Sequence, residues 1–418
     1  MIRAELVISE IGELATLVSG PVPRTGEAMS ELGLLANAAI AVDQGRFVFV
    51  GRASQLRREV RLRSRGRQVS AEGGVVVPGF VDAHSHALFA GDRSHEAALK
   101  IRGASYTEIA RSGGGLFATV RATRRASDRE LRTTAGQRIH RMALAGSTTV
   151  EVKSGYALSH AGELRLLRLL PRIARDTGVR IVPTFLGAHA VPPEYSGRAD
   201  AYIDRLIRTT LPVVARERLA RFCDVFCEPG FFTVEQSERL LRAGLALGLG
   251  AKIHADEFVL TGGARLASRV RATSADHLLA SSPDDLPLLA ESGVVAVLLP
   301  VTAFASLTGT AGLGRRMVDA GVPVALGTDL SPNSWVEAMP IVLHHAVYSA
   351  RLTPREALCA ATVNAAAASG LAEEAGTIAV GRVADLAIFP VPSVDHLAYR
   401  IGAFPAAVYR QGMHRSSR

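Results

Sequence analysis

The chain has 418 residues, 48% of them hydrophobic and 21% charged, enough to bury a large core and more than one structural unit. Its net charge of +9 raises the question of nucleic acid, but 45 of the 48 basic residues are arginines scattered over many segments without aromatic interleaving, so no nucleic-acid partner is expected. No run of 18 apolar residues lacks charges or breakers, Met1-Ile2-Arg3-Ala4-Glu5 does not open a long apolar leader, and three cysteines cannot build a disulfide framework, so no membrane span is expected and the composition suits a reducing cytoplasm.

Residues 1–72 show short apolar stretches punctuated by Gly and Pro, and residues 39–51 predict two strands joined by a tight Asp43-Gln44-Gly45 turn. The basic stretch Arg57–Arg67 predicts a solvated face. Residues 75–81 predict a buried strand, and His84 and His86 stand just beyond it. Side chains two apart on extended chain point the same way, so both imidazoles aim into one space, which is half of a metal site. Further strands are predicted at 148–153, 180–186, 223–227, 251–254, 272–275, 294–299 and 323–328. Amphipathic, Arg-rich helices alternate with them, such as Ser127–Leu144, Glu163–Thr177 and Thr233–Leu247, the last opening with a Thr233/Gln236 capping box. Strand–helix alternation means parallel βα units, and eight strands close a barrel. The last 40 residues predict strands Ala384–Phe389 and Ala406–Tyr409. The expected class is therefore α/β: a (β/α)8 TIM-like barrel over residues 73–377, with a small β-sandwich built from residues 1–72 and 378–418.

His254, His277 and Asp329 stand at or just past the ends of three predicted barrel strands, the usual origin of catalytic groups in such barrels. His84, His86, His254 and Asp329 together offer three imidazole nitrogens and one carboxylate, a set that zinc or ferrous iron favours. Cys223 and Cys227 flank Asp224-Val225-Phe226 and read as buried, inert thiols. Of only three lysines, Lys153 and Lys252 fall at or within predicted barrel strands.

The segment Pro78-Gly79-Phe80-Val81-Asp82-Ala83-His84-Ser85-His86, the lone His254, His277, Thr328-Asp329 and the closing stretch Gly381–Phe389 resemble the amidohydrolase superfamily. Narrower marks are Gly91-Asp92-Arg93-Ser94-His95-Glu96, Gly113-Gly114-Gly115, Glu151–Tyr156, Thr184–Tyr195 and Lys252–Glu257, and these resemble the imidazolonepropionases of histidine degradation, over nearly the whole chain from about residue 35. The resemblance implies hydrolysis of 4-imidazolone-5-propanoate to N-formimidoyl-L-glutamate, with an anionic imidazolone as substrate, one divalent metal per chain (zinc or iron) and a homodimer. It implies His84, His86, His254 and Asp329 as metal ligands, with Asp329 also in the catalytic set. Glu257 would shuttle the proton, and His277 would orient the water or polarise the carbonyl. Arg93, Tyr106, Tyr156, His189, Glu257, Ser331, Asn333 and Ser334 would touch substrate. Lys153 reads as structural rather than as a carboxylated bridge between two metals, and His95, His160, His344 and His345 as structural or exposed. Ser331-Pro332-Asn333-Ser334 departs from the Asn-Pro-Gly-Ser of many relatives, which leaves the ring-opening chemistry intact and bears on the identity of the substrate. The alternatives are a deaminase of a heterocycle such as guanine or cytosine, which would release ammonia, and a non-catalytic binding relative, which the complete ligand set opposes.

Overall fold

The structure, a computed structural model, describes residues 1–104, 108–109 and 113–415. The chain enters through β1 (Ile2–Ala15), β2 (Leu34–Asp43), β3 (Arg46–Arg52), β4 (Val60–Ser70) and β5 (Val75–Pro78). It continues through β6 (Phe80–Asp82), β7 (Ser147–Lys153), β8 (Arg180–Ala188), β9 (Phe222–Cys227), β10 (Gly250–Ala255), β11 (Ser274–His277), β12 (Val295–Leu298) and β13 (Val324–Leu326). It closes with β14 (Leu386–Phe389), β15 (Ala407–Arg410) and β16 (Met413–Arg415).

β6 to β13 pair in chain order, all parallel, as the wall of the barrel. Helices cover its outside, so these strands are buried on both faces, which is why they read as near-continuous apolar runs. The last strand returns to the first through residues beyond both: Asp329 N–H donates to His84 C=O at 2.9 Å. The buried Asp82 accepts from Thr328 N–H at 2.9 Å and from Thr328 Oγ1 at 2.6 Å. The covering helices start where the sequence signals them: Ser127 Oγ accepts from Glu130 N–H, and Thr233 and Gln236 form the capping box.

The remaining strands form one mixed sheet from both chain ends, in the order β16-β15-β14-β5-β1-β2-β3, with β4 also paired to β1. A register shift between Ile8 and Ile11 bends β1, so that its first part pairs with β4 and its last part with β5. Leu6, Ile8, Ile11, Ile40, Phe47, Val76, Leu386 and Ile388 pack together as the sheet's own apolar core. Gln44 and Gly45 take positive φ of 47° and 73°, as the tight turn between β2 and β3 requires.

One expectation needs correction. Residues 75–81 do not form a single barrel strand: Val75–Pro78 joins the terminal sheet, between β1 and β14, and only Phe80–Asp82 joins the barrel. The switch falls where Pro78 lacks an N–H to continue a ladder. Gly79 follows, donating to Asp385 C=O at 3.0 Å, and a Cβ there would lie 2.3 Å from the Thr148 side chain.

Candidate active site

The two imidazoles after β6, His254 on β10 and Asp329 beyond β13 converge at one end of the barrel. His84 and His86 bring their Nε2 atoms to 3.2 Å of each other, and His254 Nε2 lies 3.4 Å from His86 Nε2. Asp329 Oδ1 lies 3.5 Å from His84 Nε2 and 3.4 Å from His86 Nε2. Donor atoms about 2.0–2.1 Å from a tetrahedral zinc ion are about 3.3–3.4 Å apart, close to the spacing among His84, His86 and Asp329, which group as a candidate metal site, while His84 also groups with His254 and His277. Gly327 permits this approach, since a Cβ there would lie 2.8 Å from His84 Cβ. Asp329 and His277 hold φ of 50° and 73°, unfavourable for residues with a Cβ and typical of positions kept for function.

The protonation states suit ligation. Burial first, then the Lys153 charge and neighbouring imidazoles, pushes His84 well below the usual imidazole range, and burial, His189 and His84 do the same to His86. Carboxylates select the tautomer: His84 Nδ1 faces Asp276 Oδ2 at 2.6 Å and His254 Nδ1 faces Asp224 Oδ1 at 3.2 Å. Each Nδ1–H donates outward, which leaves the Nε2 lone pair directed into the site. Burial raises the Asp329 carboxyl to about 6; a cation among these donors would favour its ionised form.

Beneath the histidines lies the fully buried Lys153. Its Nζ donates to Asp224 Oδ2 at 2.7 Å and Glu151 Oε1 at 3.1 Å, and reaches Asp276 Oδ2 at 3.5 Å. Burial opposes its charge, but Asp224, Glu151 and Asp276 outweigh burial and hold the amine above its ordinary pKa. Three carboxylates around Nζ favour the ammonium, whereas carboxylation of a lysine requires the neutral amine, which fits a lysine that balances the carboxylates behind the histidines. Replacing it should be costly. Lys153→Met leaves three buried carboxylates without their cation, and urea unfolding is expected to show a loss of roughly 3–5 kcal/mol. A loss below about 1 kcal/mol would contradict this balance.

Glu257 stands two residues beyond β10, with Oε2 3.7 Å from His277 Nε2. Burial, then the charges of Asp329 and Glu228, pushes its carboxyl well above the usual range, and burial followed by His254 pushes His277 well below its own. Glu228 pins the loop that carries this acid, accepting from the N–H groups of Glu257 (3.1 Å), Phe258 (3.1 Å) and Val259 (2.8 Å).

These groups face a cavity of about 330 Å³, also lined by Arg93, Tyr156, His189, Ser331 and Asn333. His189 stacks 5.0 Å from the His86 ring, its Nδ1 lies 3.1 Å from Gly155 C=O, and burial lowers its pKa to about 3. Arg93 presents its fork to a protein carboxylate: Nε and Nη2 donate to Glu96 at 2.9 and 2.7 Å. Ser334 is buried behind the loop, its N–H donating to Ser331 Oγ at 3.3 Å, and does not line the cavity. Tyr106 lies outside the described residues. His95 is exposed, and His160, His344 and His345 are partly buried away from the cavity. Cys223 and Cys227 are buried thiols with raised pKa, by burial, that of Cys227 to about 11.

Sequence reading missed Asp224, Asp276, Glu228 and Lys100. A signal existed for the first two, since a carboxylate within an apolar barrel strand must be paired to be buried at all. Lys100 lines the cavity and donates to Asn333 Oδ1 at 2.6 Å. A larger hollow of about 840 Å³, between helices Asp128–Leu144 and His160–Thr177, holds none of the groups above.

Known proteins share both the sequence and the fold. The Amidohydrolase family matches residues 112–407. An imidazolonepropionase from Symbiobacterium thermophilum is 48% identical over 400 residues, covering 95% of this chain and 94% of that protein. One from Geobacillus kaustophilus is 43% identical over 410 residues, covering 97% and 96%. Among solved structures, an adenosine deaminase from Xanthomonas campestris with bound zinc matches with a TM-score of 0.69 at 19% identity, covering 99% of this chain and 93% of that one. An atrazine chlorohydrolase from Arthrobacter aurescens complexed with zinc matches with a TM-score of 0.67 at 17% identity, covering 98% and 94%. At such identities these two likenesses concern the fold.

Proposed function

The chain belongs to the amidohydrolase family and, within it, to the imidazolonepropionases, and on that premise we propose that this cavity hydrolyses 4-imidazolone-5-propanoate to N-formimidoyl-L-glutamate, a step of histidine degradation. The observation that carries the reading is the meeting, at one small cavity of a chain so similar to those enzymes, of the metal-type donors of His84, His86, His254 and Asp329 with the Glu257/His277 pair.

His84, His86, His254 and Asp329 would hold one divalent ion per chain, zinc or iron. When bound, that ion acidifies a water and polarises a carbonyl oxygen. The chain's own groups do the rest. Glu257 takes a proton from the attacking water as its oxygen bonds to the ring carbonyl carbon. The bond from that carbon to the ring nitrogen breaks, and Glu257 returns the proton to the leaving nitrogen, so one water is consumed and the ring opens. The raised pKa of Glu257 suits a group that must hold a proton between these events. Neutral His277, beside Glu257, orients the water or the ring carbonyl. Arg93, Tyr156, His189, Ser331 and Asn333 contact the substrate, Tyr106 is a further contact on the family pattern, and Ser334, which does not line the cavity, supports Ser331 instead. The reading includes a homodimer acting in the cytoplasm without a nucleic-acid partner; among the described residues no helix is long and apolar enough to cross a membrane.

The test is direct. Metal-loaded protein should consume 4-imidazolone-5-propanoate, seen as loss of imidazolone absorbance, with one N-formimidoyl-L-glutamate formed per substrate and no ammonia. Ammonia released from guanine or cytosine, with the imidazolone untouched, would make it a deaminase instead.

A further inference from the structure

At the cavity wall that carries Arg93, the helix His95–Ile101 bears Glu96 in its first turn and Lys100 in its last. Residues four apart lie on one helix face, so both side chains turn toward the same wall. Lys153 and Lys252 are sealed inside the barrel, whereas Lys100, partly buried, lines the cavity beside Arg93 and Asn333.

The charges at this wall are unequal. Glu96, fully buried, accepts from Arg93 Nε and Nη2 at 2.9 and 2.7 Å and from Gly115 N–H at 2.7 Å. The edge of Arg93 that could grip a carboxylate with two parallel bonds therefore already grips one, and Glu96 offsets its charge. Glu96 lies within electrostatic reach of Lys100 too, but no carboxylate among the described residues hydrogen-bonds its ammonium. Among the described residues its Nζ donates to one neutral acceptor, Asn333 Oδ1, at 2.6 Å. An ammonium carries three donors, so two remain for a ligand. Asn333 Oδ1 also faces Arg93 Nη2 at 3.5 Å, which holds the amide with its oxygen toward both cations. The three side chains together leave one net positive charge, and the ammonium is its source.

We propose that Lys100 binds the carboxylate of the substrate tail and sets the preference of this cavity for an anionic ligand, with Asn333 holding the ammonium at the wall. This rests on the ring-opening reading, which supplies the carboxylate. Arg93 keeps its contact with the substrate, and Lys100 adds the charge that Glu96 takes from Arg93.

The experiment compares Lys100→Met, which keeps the aliphatic stem, with Lys100→Arg, which keeps the charge. Metal-loaded proteins are titrated calorimetrically with imidazole-4-propanoate and with its neutral carboxamide, and kinetics are measured on 4-imidazolone-5-propanoate. Lys100→Met should weaken carboxylate binding by about ten- to a hundred-fold, the size of a charge-assisted hydrogen bond, and raise KM more than it lowers kcat. Carboxamide binding should change less than about threefold, and Lys100→Arg should restore most of the carboxylate affinity. Equal losses for carboxylate and carboxamide, or unchanged carboxylate affinity, would overturn the proposal and leave Lys100 a packing residue. A native chain that leaves 4-imidazolone-5-propanoate unchanged would instead overturn the ring-opening reading. In that case a selective effect of Lys100→Met on imidazole-4-propanoate would keep the carboxylate assignment, and no binding would end both.

Discussion

Replacing His254 by alanine is expected to remove metal and turnover together. His84, His86, His254 and Asp329 are the proposed ligands, their donor atoms meet at one end of the barrel, and two of the imidazoles are held by carboxylates in the tautomer that presents Nε2. Loss of one corner from a four-donor set opens the sphere. Lewis-acid assistance is worth several kcal/mol at the transition state, so kcat/KM should fall on the order of 10⁴-fold or more. Elemental analysis should give one ion per native chain and far less per variant chain. His84→Ala, His86→Ala and Asp329→Ala should behave alike. Asp224→Asn offers the contrast, because it leaves all four donors in place while weakening the hold on His254 and one contact of Lys153, and it should lower metal affinity by about 10–100-fold without abolishing it. Two tightly held ions in native protein, both needed for turnover, would refute the single-ion site and reopen the role of Lys153.

Glu257→Gln should lower kcat by on the order of a hundred- to ten-thousand-fold while metal content stays at the native level. The amide fills the same space but cannot accept the water's proton. The sign of the pH dependence follows from the environment of the acid. Burial and the charges of Asp329 and Glu228 favour its protonated form, so the base is ionised only above a raised pKa. Turnover by the native chain should therefore fall as pH decreases through that pKa, with the acid limb above the usual glutamate value of about 4.3. The variant should lose this limb. A pH–rate profile with near-native kcat in Glu257→Gln would move the base to His277 or Asp329.

The barrel was legible in the sequence, as were the side chains proposed as metal donors, because their signals are local. A strand buried on both faces needs a continuous apolar run, and eight such runs separated by amphipathic helices have few ways to pack. His84 and His86 are two residues apart, so their shared direction follows from extended backbone alone. The Thr233/Gln236 cap is equally local. Other features depend on partners far along the chain. Asp276 meets His84 across 192 residues, Asp224 meets His254 across 30, and Lys100 meets Asn333 across 233. Each pairing exists only once the strands are in register, as where Ala251 of β10 aligns with Cys223 of β9. The division of residues 75–81 between two sheets likewise waited on β14, which pairs with β5 from the far end of the chain. Sequence by itself thus determined the strand number, the donor types and the chemistry they permit. Tertiary structure decided which carboxylate orients which imidazole, that Lys153 is a balanced ammonium, and that Glu96 holds the fork of Arg93, because the energy of a buried charge is set by neighbours that only the closed barrel brings within reach.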